Sequence, residues 1–198
     1  MAGPMPTTTE IQEARRRATG RQCGKCTMCC TILGVDELTK PPDTKCQHCA
    51  PGKGCSIYER RPISCRGFYC QWLVDPTLDD AWYPLAAKIL IYPNAAGSEP
   101  GYVFEVDPHR PDRWLQQPYF ERISNFAFVH RNSFVRAGKH WYLLLPREVA
   151  EMHPKSPIRW GTKTVDFKPD KIGPSYFKSP DGDFHWVEVI PLAEFFDA

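Results

Sequence analysis

The sequence lacks any run of 18 or more apolar residues, so no segment is long enough to cross a bilayer as a helix. It also lacks the basic-then-apolar order of a secretory signal. The opening MAGPMPTTTEIQEARRRATGRQ reads instead as a tail leading into a short basic stretch that can turn helical. The closing LAEFFDA carries no lipidation motif. These absences predict a cytoplasmic protein with no membrane partner. There is no phosphate-cradling G-x4-G-K-[ST], no Rossmann-type glycine run, no G-x-S-x-G elbow and no H-E-x-x-H. The acidic residues of the second half are dispersed, so no catalytic residue is nominated. A strong net charge is missing too: the total is +2, which argues against nucleic acid as a partner. With 20 Pro and 13 Gly, turns and short elements are expected in place of long helices.

One further absence is the most informative. The last 128 residues hold no cysteine, because all nine (Cys23, Cys26, Cys29, Cys30, Cys46, Cys49, Cys55, Cys65 and Cys70) fall between positions 23 and 70. A disulfide framework would spread its bridges more widely, an odd count leaves one thiol over, and cytoplasmic thiols stay reduced. Inert core cysteines would not recur at two-residue intervals. A C-x2-C turn lets two thiolates converge on one metal ion, and its backbone N–H groups can bond the sulfurs. Cys23, Cys26 and Cys29 form a C-x2-C-x2-C triple, and Cys46 and Cys49 form a second pair. All nine are candidate metal ligands. The triple is similar to the start of a bacterial-type iron–sulfur run, although no Cys-Pro follows. The expected cofactor is therefore an iron–sulfur cluster, with zinc as the alternative.

Neighbouring Cys29 and Cys30 are awkward ligands for one ion because their side chains diverge. They suit two different sites, or one site and a supporting role. Eight thiols would fill two four-sulfur sites and leave one spare, for which Cys70 is the candidate; one cluster with several supporting thiols is the alternative. Spacing does not assign the ligand sets. Four thiolates on a zinc ion or an oxidised four-iron cluster leave a charge of about −2. Residues 1–70 hold 11 Lys/Arg against 6 Asp/Glu, and Lys25, Arg60, Arg61 and Arg66 lie beside the cysteines in sequence. Such cations offset a buried negative charge. His48, inside CQHC, is expected beside the site or at the surface. His109, His130, His140, His153 and His185 lie far apart and are expected to be structural.

CGKCTMCC, a further cysteine group and GCSIYERRPISCRGF together resemble the CxxCxxCC zinc- or iron-chelating proteins, the YkgJ-type cysteine-cluster family. The resemblance rests on Cys23, Cys26, Cys29, Cys30, Cys49, Gly54, Cys55, Tyr58, Arg61, Pro62, Cys65 and Arg66, and covers about 22–72. It implies a metal-binding module and little about a reaction. In the same stretch, Pro62 suits the first turn of a short helix that would orient Cys65. Tyr58, Phe68, Tyr69 and Trp72 can wall the site.

The expected organisation is a flexible basic tail over 1–19, a loop-rich cysteine module over 20–72, and an α+β domain over 73–198. In that fold class the module packs on a small, mainly antiparallel sheet with a few short helices. Strands are predicted at 86–93, 101–108, 162–169 and 184–191, a helix at 117–128, and a hairpin over 133–146 that bends at 137–139. The module has too little apolar content for a core of its own, so bound metal is expected to stabilise it. Three functions are weighed, in this order. The first is a metal-binding protein with a structural or electron-handling role and an unidentified protein or redox partner. The second is a group-transfer enzyme that uses the cluster. The third is a zinc-ribbon-like nucleic-acid binder using Arg15 to Arg17, Arg21, Lys25 and the Glu59-Arg60-Arg61 stretch against phosphates.

Overall fold

The computed structural model describes residues 7–50, 52–94, 101–130, 133–138 and 140–145, together with the strand backbones at 158–160, 163–165, 174–178 and 184–191. The fold is α+β, and the chain divides into two compact units at Ile91 and Tyr92.

The first unit opens on helix α1 (Thr8–Thr19), where a tail was expected. Thr7 and Glu10 form a capping box: the Glu10 amide donates to Thr7 Oγ1 at 3.3 Å, and the Thr7 amide donates to Glu10 Oε2 at 2.7 Å. Gly20 ends the helix at φ 67°, a conformation that glycine adopts freely. The helix is tied down by distant residues. Tyr69 donates to Glu13 Oε2 at 2.7 Å, and the Thr19 hydroxyl donates to the Leu73 carbonyl at 2.7 Å. Arg21 donates to the carbonyls of Trp72, Asp75 and Leu78 at 2.6, 2.8 and 2.5 Å. A short arginine-rich helix would fray alone; these bonds explain why it does not read as a tail.

Short elements follow. They are α2 (Met28–Ile32), the two-stranded antiparallel ladder of β1 (Cys49–Ala50) and β2 (Gly54–Cys55), α3 (Ile63–Gly67), α4 (Gln71–Val74) and α5 (Pro84–Ala87). Pro62 stands immediately before α3, as its fixed φ suggested. From Cys23 to Cys70 the buried non-cysteine hydrophobics among the described residues are Met28, Ile32 and Val35. The next 21 residues add Trp72, Leu73, Val74, Leu78, Trp82, Ala87, Ile89, Leu90 and Ile91. The cysteine unit therefore runs past the expected boundary at 72, because the apolar residues it is built with come from 72–91.

Strand β3 (Ile89–Asn94) carries the chain across the point of division. The second unit holds β4 (Gly101–Val106), α6 (Tyr119–Val129), β5 (Phe134–Ala137), β6 (His140–Leu145), β7 (Ile158–Trp160), β8 (Lys163–Val165), β9 (Pro174–Lys178) and β10 (Phe184–Pro191). The large sheet runs β3-β4-β5-β6-β10-β9. It is mixed: β4–β5 and β6–β10 are parallel, whereas β5–β6 and β9–β10 are antiparallel. The expected β5–β6 hairpin forms, with Gly138 at φ 63° in its bend. The parallel β4–β5 pair arises because α6 makes the crossover between those strands. Phe126 of α6 meets Phe104 edge-on at 5.6 Å, and Ile123 and Ala127 are fully buried. Within the sheet, buried Glu105 pairs with Arg136, its register partner, and accepts from the Tyr92 hydroxyl. β7 and β8 form a separate antiparallel ladder. Residues 166–169 of the strand predicted at 162–169, and His153, lie outside the described residues.

Candidate metal centre

Each C-x2-C segment folds as a turn. The Cys26 amide donates to the Cys23 carbonyl and the Cys49 amide to the Cys46 carbonyl, both at 2.9 Å. Gly24 takes φ 54° in the first turn. The Gly54 Cα leaves no room for a side chain, because a Cβ there would stand 2.7 Å from the Gly24 carbonyl oxygen. The β1–β2 ladder thus lies directly against the first turn. In its register Cys49 faces Cys55. Cys29 and Cys30 are successive residues of α2, and the Cys46 amide donates to the Cys30 carbonyl at 2.8 Å.

All nine cysteines are unbridged. The His48 amide donates to Cys46 Sγ at 3.4 Å. The backbones of Met28 and Leu85 beside Cys26, those of Leu73 and Trp72 beside Cys70, and the side chains of Tyr58 beside Cys23 and Thr27 beside Cys49 each act to lower the thiol against the effect of burial. The Tyr83 hydroxyl holds the Cys23 carbonyl at 3.0 Å. Donors aimed at sulfur stabilise thiolates and are the surroundings that thiolate-bound metals use.

Burial opposes that charge. It is the largest cause raising the thiols of Cys23, Cys26, Cys49 and Cys65, and it pushes Cys70 up to about 12. The contact between the Cys29 and Cys30 thiols holds Cys29 well above the usual thiol value and brings Cys30 down to about 7. Cys30 gains further from Lys40 and Arg61. Lys40 is only 7% exposed, and its ammonium donates to the carbonyls of Leu33 and Pro41. Arg61 lies 3.7 Å from the Tyr58 ring centroid and acts also on Cys23 and Cys65.

The structure sets the two C-x2-C turns beside one another through the Cys46–Cys30 backbone bond and pairs Cys49 with Cys55 across the ladder. Among the described residues, no group of three or more His, Cys, Asp or Glu side chains already stands ready to hold a metal ion. Cys70 is buried. His48 enters through its amide, while His109 pairs with Asp107 and His130 meets Tyr102 edge-on at 5.0 Å. Lys40 was missed by sequence reasoning. Its signal was weak: a lysine before Pro-Pro, ten residues from the nearest C-C pair. Its burial follows from the bridge between Val35 and Lys40 and the left-handed turn at Thr39. Among the described residues no helix is long and apolar enough to cross a membrane. No protein-family model matches this chain, and no curated protein or solved structure matches it either.

Proposed function

We propose that this protein binds metal through its clustered cysteines, with an iron–sulfur cluster preferred over zinc, in a structural or electron-handling role. The observation that carries this reading is the pair of C-x2-C turns, each closed by a 2.9 Å backbone bond and tied together by the 2.8 Å bond from the Cys46 amide to the Cys30 carbonyl, with all nine thiols unbridged. The donor set is all sulfur, which suits zinc and iron–sulfur centres. The buried cation of Lys40 and the guanidinium of Arg61 supply the charge that an anionic thiolate centre needs. The C-x2-C-x2-C triple of Cys23, Cys26 and Cys29, similar to the start of a bacterial-type iron–sulfur run, favours the cluster over a lone ion. The resemblance of 22–72 to the CxxCxxCC proteins agrees with this reading.

When bound, the centre supplies folding energy and, if iron–sulfur, an electron-accepting site. The chain's own groups do the rest. Most of its thiols are protonated when metal-free, so binding releases protons. Tyr58 and Arg61 cover Cys23, and Tyr83 fixes the turn that presents it. A reducing compartment, the cytoplasm, fits thiols held unbridged. Protein purified without oxygen should be brown and absorb near roughly 400 nm if iron–sulfur. A colourless preparation with stoichiometric zinc would replace the cluster with a zinc site.

A further inference from the structure

We infer that Cys49 and Cys55 form a reversible disulfide across the β1–β2 ladder, which makes this hairpin a site of redox modification. Backbone geometry sets the pair. The two strands run antiparallel, with Cys49 opposite Cys55 and Ala50 opposite Gly54. Just outside the ladder, the Ser56 amide donates to the His48 carbonyl at 2.9 Å. That bond makes 48 and 56 a hydrogen-bonded pair, so the next pair, Cys49 and Cys55, is a non-hydrogen-bonded one. Partners of that kind have Cα atoms about 4.5 Å apart and carry their side chains on one face. A disulfide spans Cα separations of about 4.4–6.8 Å, so this pair is within its reach.

The hairpin is held in that register at both ends. The Ser56 hydroxyl donates to the same His48 carbonyl at 3.1 Å. At the tip, the Lys53 amide donates to the Ala50 carbonyl at 3.0 Å, and Gly52 takes φ 72° in the turn. Gly54 seats β2 against the Gly24 carbonyl oxygen. Both thiols are unbridged and half-buried, so a small reagent can reach them. The oxidant is a low-molecular-weight disulfide. One thiolate of the pair attacks a sulfur of that reagent and expels one thiolate from it. The other thiolate then attacks the protein sulfur of the mixed disulfide and expels the second. The pair gives up two protons and two electrons, and the reagent leaves as two thiols. In reducing compartments, disulfides serve such transient, redox-sensing roles. The bond does not depend on the metal reading; where that reading holds, the bond withdraws Cys49 from the CQHC turn and so weakens the centre.

The test uses the full wild-type chain, purified anaerobically, with its metal content measured. Oxidised glutathione is the probe. Free thiols are then alkylated in denaturant, and the chain is digested with trypsin and mapped by mass spectrometry. Trypsin cuts after Lys45, Lys53 and Arg60, so the bond joins 46–53 to 54–60. We expect that joined species, with fragmentation placing the link at Cys49, the loss of both thiols from the alkylated pool, and their return on treatment with dithiothreitol. A link at Cys46, a link between two chains, or Cys49 and Cys55 left free or merely capped by glutathione overturns the inference. A chain isolated without metal that forms the link defeats the metal reading and supports this one. A metal-bearing chain that never forms it does the reverse.

Discussion

The amide of Cys46 donates to the carbonyl of Cys30 at 2.8 Å, across fifteen intervening residues. That bond joins the CTMCC segment to the CQHC turn and makes one neighbourhood of two cysteine motifs. It uses only backbone, so it persists whatever the sulfurs hold.

Lys40 should govern how tightly metal is kept. Its ammonium is buried and acts on Cys30. Lys40→Met removes a cation from beside an anionic centre, and each 1.4 kcal/mol so lost is about tenfold in binding. We expect at least roughly tenfold faster metal transfer to a competing chelator. Lys40→Arg should lie between variant and wild type. Unchanged transfer kinetics in Lys40→Met would remove Lys40 from the charge argument.

Gly54 should not tolerate a side chain. Its φ is +94°, and a Cβ would meet the Gly24 carbonyl oxygen at 2.7 Å. Gly54→Ala should cost about 1–3 kcal/mol from backbone strain, with the clash in addition. Thermal unfolding monitored together with metal release should show both occurring earlier. An Ala variant as stable as wild type would mean that the ladder and the Gly24 turn are farther apart.

Arg21 should anchor the N-terminal helix. It donates to three main-chain carbonyls, those of Trp72, Asp75 and Leu78. Arg21→Ala should destabilise the protein by about 2–3 kcal/mol, since hydrogen bonds to a charged group are among the stronger ones. Hydrogen exchange should then show faster opening of 8–19. Exchange unchanged there would return α1 to the tail that its composition suggested.

Glu13 gives a pH-dependent signature. Bonds from Arg16, then Tyr69, hold its carboxyl down at about 2. A depressed carboxyl contributes stability that is present above its unfolded value of 4.5 and is lost as pH falls toward 2. Tyr69→Phe should cost about 1 kcal/mol at neutral pH. The difference from wild type should shrink through this acid window. A difference that is constant with pH would show that Tyr69 acts by packing alone.

The fold was legible where local rules dominate. Pro62 before α3 and Gly138 in the β5–β6 bend each announce their own conformation. The parallel pairing of β4 with β5 was not legible, because it depends on where α6 returns the chain. The C-x2-C turns could be read from spacing, since the motif itself sets the geometry. The burial of Cys70 could not, because it depends on how the fold packs around that position. The same holds for Arg21, whose three acceptors are carbonyls that no side-chain pattern reveals.

The most direct measurement is metal and acid-labile sulfide per folded chain, on protein isolated without oxygen and passed over a desalting column. Our account predicts stoichiometric metal that resists the column, with a chelator then exposing 23–70 to proteolysis. A folded, protease-resistant chain with nine free thiols and no metal would contradict it.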